Sequence, residues 1–231
     1  MKIFKKMLLA TLLTHVSMSD ALPSNQFYAS LEAGIFKGQF NSKYLDQTDL
    51  IPQNISESLM QNGYSGGLAL GYTHSFNSHY FVGLELAGVK DGNSASFQSG
   101  AANTSFSDQI QMNSHVDFTV IPGVMTQSGF LPYIKVGISR ASINDYLTSP
   151  VGYDPVMTNY NSSQTSYGFV AGLGLRYLLN DHSWLFVEEN YHDYGSVNFS
   201  AFQNFSASYS HSAHIYSYAT LIGASIALGN V

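Results

Sequence analysis

Apolar and polar side chains alternate with a period of two along most of this chain, in segments of about ten residues. In the stretch from Phe27 to Phe36, one face carries Phe27, Ala29, Leu31, Ala33 and Ile35. The other carries Tyr28, Ser30, Glu32, Gly34 and Phe36. From Tyr64 to Thr73, Tyr64, Gly66, Leu68, Leu70 and Tyr72 oppose Ser65, Gly67, Ala69, Gly71 and Thr73. Tyr80, Val82, Leu84 and Leu86 likewise oppose Phe81, Gly83, Glu85 and Ala87. In a fourth segment Ile110, Met112, Val116, Phe118, Val120 and Val124 share a face, broken by Ser114 and Pro122. Gln109, Gln111, Asn113, His115, Asp117 and Thr119 lie opposite. Side chains of successive strand residues point to opposite sides, so this periodicity predicts strands whose two faces meet different surroundings. Four more segments, near 131–142, 165–178, 184–194 and 213–228, continue it.

The segments repeat as hairpins. Tyr28 to Tyr80, Phe81 to Tyr133 and Tyr133 to Leu185 are each 52 residues apart. Connections alternate between short polar turns at 75–79, 126–129 and 179–183 and long Asn/Ser/Gly-rich stretches at 40–62, 90–108, 143–164 and 195–212. Four hairpins with that alternation predict an all-β fold, an eight-stranded antiparallel up-and-down transmembrane β-barrel, with the long connections as extracellular loops.

Composition decides which face meets lipid. Charged residues make up 10% of the chain and aromatics 14%, and mean hydropathy is −0.01. A soluble lipocalin-like barrel or sandwich needs a charged exterior, and this chain has too few charges outside its loops to supply one. An apolar face toward lipid and a small or polar face toward the lumen average to that hydropathy. Cysteine is absent, so neither disulfides nor a lipidated cysteine contributes. The net charge of −6 offers nucleic acid no clustered cations.

The first residues have the form of a secretory leader. Lys2, Lys5 and Lys6 precede the apolar run Met7–Leu13, which is too short to span a bilayer, and Ser19-Asp20-Ala21 places small residues at a cleavage site. Residues 1–21 are expected to be a signal peptide, with Ser19 as a second cut position, and residues 22–231 the barrel. The expected location is the outer membrane of a Gram-negative cell.

Two groups of residues stand out in the strands. Phe27, Tyr28, Tyr80, Phe81, Tyr133 and Trp184 open the odd-numbered strands and are expected to form a periplasmic aromatic girdle. Glu32, Glu85, Lys135 and Glu188 fall at similar depth on the inward parity, with His115 and Asp117 from the fourth strand and Arg176 from the sixth. Buried charges must pair, so these seven are expected to form one interior network around Lys135 and Arg176. Four acids face two permanent cations, so a bound proton, a charged His115 or lumenal water is also required. Such a network serves as a register-fixing plug or as a polar gate. Eight strands enclose a space that side chains just fill, which favours the plug.

The hairpin GFVAGLGLRYLLNDHSWLFVEENYHDYG, Gly168 to Gly195, resembles the OmpA-type transmembrane domain and its opacity-protein relatives. Gly172, Gly174, Tyr177, Trp184, Glu188, Tyr191, Asp193, Tyr194 and Gly195 follow that family's order. Pro132–Gly137 and Gly83–Leu86 are similar to its fifth and third strands. The resemblance covers the transmembrane domain only and implies an outer-membrane barrel with surface-exposed loops. It departs from the family at the C-terminal segment Ile226–Val231, which lacks a terminal aromatic, and at Glu189, which stands in place of a Tyr on the lipid parity. Glu189 is therefore expected near the outer rim or at a bulge.

Three functions fit this reading. The leading one is a structural, surface-exposed monomer in outer-membrane lipid and lipopolysaccharide, whose four loops bind a host or cell-surface ligand or act in adhesion. A narrow ion channel of porin type is the second. The third, a lipid A-modifying enzyme, would draw on Ser210, His211, Ser212 and His214 with His192 and Asp193. His211 and His214 differ in parity and so face opposite ways, which also separates any metal set of His192, His211 and His214. No catalytic, cofactor-binding or metal site is expected.

Overall fold

The computed structural model describes residues 25–46, 53–76, 79–92, 95–99, 106–148, 160–204 and 207–230. The expected signal peptide lies outside the described residues. So do residues 47–52, 100–105 and 149–159 of the expected loops.

Nine strands occur among the described residues: β1 Asn25–Asp46, β2 Gln53–Ser75, β3 Tyr80–Asp91, β4 Ala95–Ser99, β5 Phe106–Val124, β6 Phe130–Thr148, β7 Tyr160–Asn180, β8 Ser183–Asn204 and β9 Ala207–Asn230. Every pairing is antiparallel, and β1 pairs with β9 to close the ring. β3 and β4 lie end to end against β5, so they form one interrupted stave and the ring has eight. Through the apolar zone each stave is paired on both sides, β2 with β3 from Ser65 to Ser75, so the part of the wall in hydrocarbon has no open strand edge.

The wall has two zones. In the lower one the outward residues are apolar. On β1 these are Phe27, Leu31 and Ile35, 50–65% exposed, while Tyr28, Ser30 and Glu32 are buried inside. Leu68 and Leu70, Leu84 and Leu86, Ile134 to Ile138, and Ile222 and Ile226 continue the band around the barrel. Above it the hydrophobic phase flips. Outward Lys37, Gln39, Asn41 and Lys43 are polar, whereas inward Phe36 and Phe40 are buried. Ile110, Met112, Ile143, Val197, Phe199, Ala213 and Ile215 join them in an interior apolar cluster. The chain is therefore a membrane barrel below and a water-type barrel, polar outside and apolar inside, above.

This flip corrects two expectations. Most of the residues assigned to loops 40–62, 143–164 and 195–212 are strand, because their apolar residues pack inward rather than onto lipid. Ile110 and Met112 are fully buried in the interior rather than facing lipid with Val116 and Phe118. A β-bulge between Met112 and Ser114 inverts the parity of β5 there. Where β3 gives way to β4, the Gln61 amide takes the place of the ladder. Its Oε1 accepts from the Met112 N–H at 3.2 Å and its Nε2 donates to the Met112 carbonyl at 3.4 Å.

The expected girdle is corrected as well. Phe27 and Tyr80 face outward, but Tyr28, Phe81, Tyr133 and Trp184 are at most 5% exposed and point into the barrel. The outward aromatics at the short-turn end are Phe27 against Tyr72, Phe76, Tyr80, and Phe130 against Tyr177. At the upper edge of the apolar band Tyr64 and Tyr167 face outward, and Tyr191, Tyr216 and Tyr218 form a contiguous group with centroids 5.0–6.4 Å apart. Glu189 lies next to that group in an unbroken register, and accepts a hydrogen bond from the Thr220 hydroxyl at 2.9 Å. The first of two register shifts between β8 and β9 comes later, between Asp193 and Gly195, where Gly195 has φ of 66° and its N–H donates to Asp193.

Candidate functional site in the barrel interior

The four inward aromatics come one from each upward stave, and they converge on Arg176 of β7. Its guanidinium carbon lies 5.1, 6.0, 4.9 and 5.7 Å from the ring centroids of Tyr28, Phe81, Tyr133 and Trp184. Arg176 Nη2 donates to the Tyr28 hydroxyl at 3.2 Å and lies 3.7 Å from Glu85. Its Nε has no hydrogen-bond acceptor, and the electron-rich ring faces supply the favourable field instead.

Glycine makes this arrangement fit. Tyr28 is the cross-strand partner of Gly71, Phe81 of Gly123, Tyr133 of Gly174, and Phe186 of Gly223. A Cβ at any of these glycines would come within 2.0–2.3 Å of the ring beside it. Each ring therefore lies flat on bare backbone. Gly174→Ala is expected to push Tyr133 off its seat and cost about 1–3 kcal/mol, measured by urea unfolding of the folded barrel. Gly129→Ala, where a Cβ meets open space, serves as the comparison for a turn glycine held at positive φ.

Directly above the cage sits an ion-paired triad. Lys135 Nζ lies 2.9 Å from Glu85 Oε1 and 2.8 Å from Glu188 Oε1. The Tyr28 hydroxyl donates to Glu85 at 2.8 Å, the Tyr133 hydroxyl to Glu188 at 2.8 Å, and Asn190 Nδ2 to Glu188 at 2.7 Å. All three charges are buried, so each carboxylate is matched by the ammonium and at least one further donor, as buried charge demands. Glu32 is buried on the same inner face, filling the space that a side chain at Gly67 would take.

A second polar layer lies higher. His115 Nδ1 is 2.9 Å from Asp91, which also accepts from Ser65 at 2.6 Å. Asp117 Oδ2 is 2.9 Å from His192 Nε2 and 3.7 Å from His115 Nε2. Tyr194 stacks on His192 and meets Ser139 at 3.0 Å. The expected single network is thus two layers. Glu85, Lys135, Glu188 and Arg176 belong to the lower one, whereas His115 and Asp117 pair in the upper one with Asp91 and His192. Asp91 was hidden in an assumed loop. His192 lies four residues beyond Glu188 and shares its inward parity, which is the signal that locates it.

Apolar residues pack at both ends of this polar interior. Phe81, Ile121, Leu131 and Tyr133 pack together at the short-turn end, and the Phe36–Ile215 cluster lies at the other. Beyond that cluster His211 lies 3.2 Å from Asp145 and stacks on Phe199. His214 faces outward, 3.3 Å from Asp193. Of the residues considered for lipid chemistry, His192 and His211 thus lie inside the wall and Asp193 and His214 outside it, while the side chain of Ser210 lies outside the described residues.

The chain matches the outer membrane protein beta-barrel domain family over residues 7–210. An uncharacterized protein of Coxiella burnetii is 27% identical over 203 residues, spanning 81% of this chain and 78% of that one. Among solved structures, the outer membrane protein OprG of Pseudomonas aeruginosa is 16% identical with a TM-score of 0.49, covering 90% of this chain and 99% of its own. Neisserial surface protein A is 16% identical with a TM-score of 0.42, covering 87% and 96%.

Proposed function

The chain belongs to the outer membrane protein beta-barrel family of Gram-negative bacteria, and from that membership we propose a plugged barrel that works at the cell surface. Its projecting wall and loops bind a ligand on a host or neighbouring cell. The observation that supports this reading is the phase flip at Ile35 and Phe36. Beyond it β1 runs on to Asp46, with Lys37, Gln39, Asn41 and Lys43 outward and Phe36 and Phe40 inward. At ~3.4 Å per residue and the usual barrel tilt, that wall rises roughly 25 Å above the apolar band. A water-faced wall of that size, paired on both sides of β1, presents a surface that loses less ordering entropy on binding than an unpaired loop would. Lys37, Lys90 and Arg140 point outward at the base of that wall, where they suit lipopolysaccharide phosphates. The buried triad and Arg176 cage argue against a conducting lumen.

The test is retention of whole cells. A Gram-negative strain producing the barrel is expected to adhere to epithelial monolayers several-fold above the vector control. Changing outward Asn41, Lys43 and Asn198 to Glu is expected to remove much of that gain. Equal retention of producing and vector cells would contradict the adhesive reading.

A further inference from the structure

We propose that His115, Asp117 and His192 bind a divalent transition-metal ion inside the barrel, with zinc as the working example. β6 and β7 separate β5, which carries His115 and Asp117, from β8, which carries His192. The three side chains nevertheless meet in the lumen, all buried, with one ligand atom from each within 4.8 Å of the others. Tetrahedral zinc with bonds near 2.0–2.1 Å separates its ligand atoms by about 3.4 Å. The observed Asp117–His192 and Asp117–His115 distances of 2.9 and 3.7 Å bracket that value.

Neighbouring side chains orient His115 in this set. His115 uses Nδ1 on Asp91, which fixes the ring and leaves Nε2 toward Asp117. Ser65 holds Asp91 in turn. A carboxylate behind a histidine in this way raises ligand basicity and fixes the tautomer that a metal needs. Asp117 Oδ1 is buried without a hydrogen-bond partner, so the carboxylate has unused capacity at the meeting point. Two imidazoles and one carboxylate favour zinc, nickel, copper or iron over the oxygen-seeking calcium and magnesium. The ion would join β5 to β8 across the lumen just below the upper apolar cluster.

The periodic pattern explains why no short motif announces the site. His115 and Asp117 are two apart on one strand, which puts both on its inner face, but His192 arrives from a distant hairpin. Without a metal the same groups form two hydrogen-bonded pairs, His115 with Asp91 and His192 with Asp117, with His115 Nε2 3.7 Å from Asp117 between them.

The experiment uses the full barrel folded in detergent with zinc sulfate, desalted, and assayed for zinc by mass spectrometry. Unboiled gel mobility reports the folded state. Wild type is expected to retain about one zinc per chain and to unfold at higher temperature with zinc than with chelator. His192→Asn and Asp117→Asn are each expected to weaken zinc binding at least ~10-fold and to lose the thermal shift. His214→Ala, on the outer wall, is expected to behave as wild type. If either inner variant does not fold, the other carries the comparison. Failure of folded wild type to retain zinc, or equal retention by folded His192→Asn or Asp117→Asn, would overturn the proposal in favour of the metal-free pairs.

Discussion

Lys135→Met is expected to destabilise the folded barrel by about 3–5 kcal/mol, followed through the fluorescence of Trp184, the only tryptophan in the chain. The loss comes less from the removed ion pairs than from what remains. Glu85 and Glu188 are buried, and both depend on the Lys135 ammonium at 2.8–2.9 Å. Glu85 keeps Arg176 at 3.7 Å and the Tyr28 hydroxyl. Glu188 keeps only the neutral donors Tyr133 and Asn190. Glu188 is thus the more exposed to the change, and adding Glu188→Gln to Lys135→Met is expected to recover part of the lost stability. Purely additive losses would show that the two groups do not act as a unit.

Arg176→Met is expected to cost about 3 kcal/mol or more and to alter Trp184 emission in the folded state. Methionine fills part of the volume but carries no charge. The four rings at 4.9–6.0 Å lose the cation they surround, and Glu85 loses its second positive neighbour. Arg176→Lys is expected to rescue only partly, because a compact ammonium cannot spread across four ring faces and reach Tyr28 as the planar guanidinium does. An unchanged emission spectrum with full stability would mean that the cage contributes nothing to the fold.

The lipid-facing half of the molecule was legible from alternation alone. Phe27, Leu31 and Ile35 lie outward and Glu32, Glu85, Lys135 and Glu188 inward, as period two requires. The upper half was not legible, because the apolar phase reverses between Ile35 and Phe36 on β1. A polar outward row of Lys37, Gln39, Asn41 and Lys43 resembles a loop when one expects apolar residues on that parity. On β5 the bulge after Met112 adds a second inversion that no composition signal marks.

The girdle misreading has a different origin. Phe27 and Tyr28 are adjacent, so they cannot both face lipid, and parity already separates Tyr28, Phe81, Tyr133 and Trp184 from Phe27 and Tyr80. What sequence could not supply was their common target. Arg176 stands on β7, and only the curvature of the closed ring brings it among four rings from four other staves. The glycines that seat the rings, such as Gly71 and Gly174, are likewise intelligible only once the cross-strand register is known.

The most direct test of the plugged interior is single-channel recording of the purified barrel in planar bilayers at high salt. With the Arg176 cage, the Glu85–Lys135–Glu188 triad and apolar layers at both ends, wild type is expected to give a flat trace. Regular unitary openings that disappear in Lys135→Met or Glu85→Gln would contradict the plug and make the triad the lining of a channel.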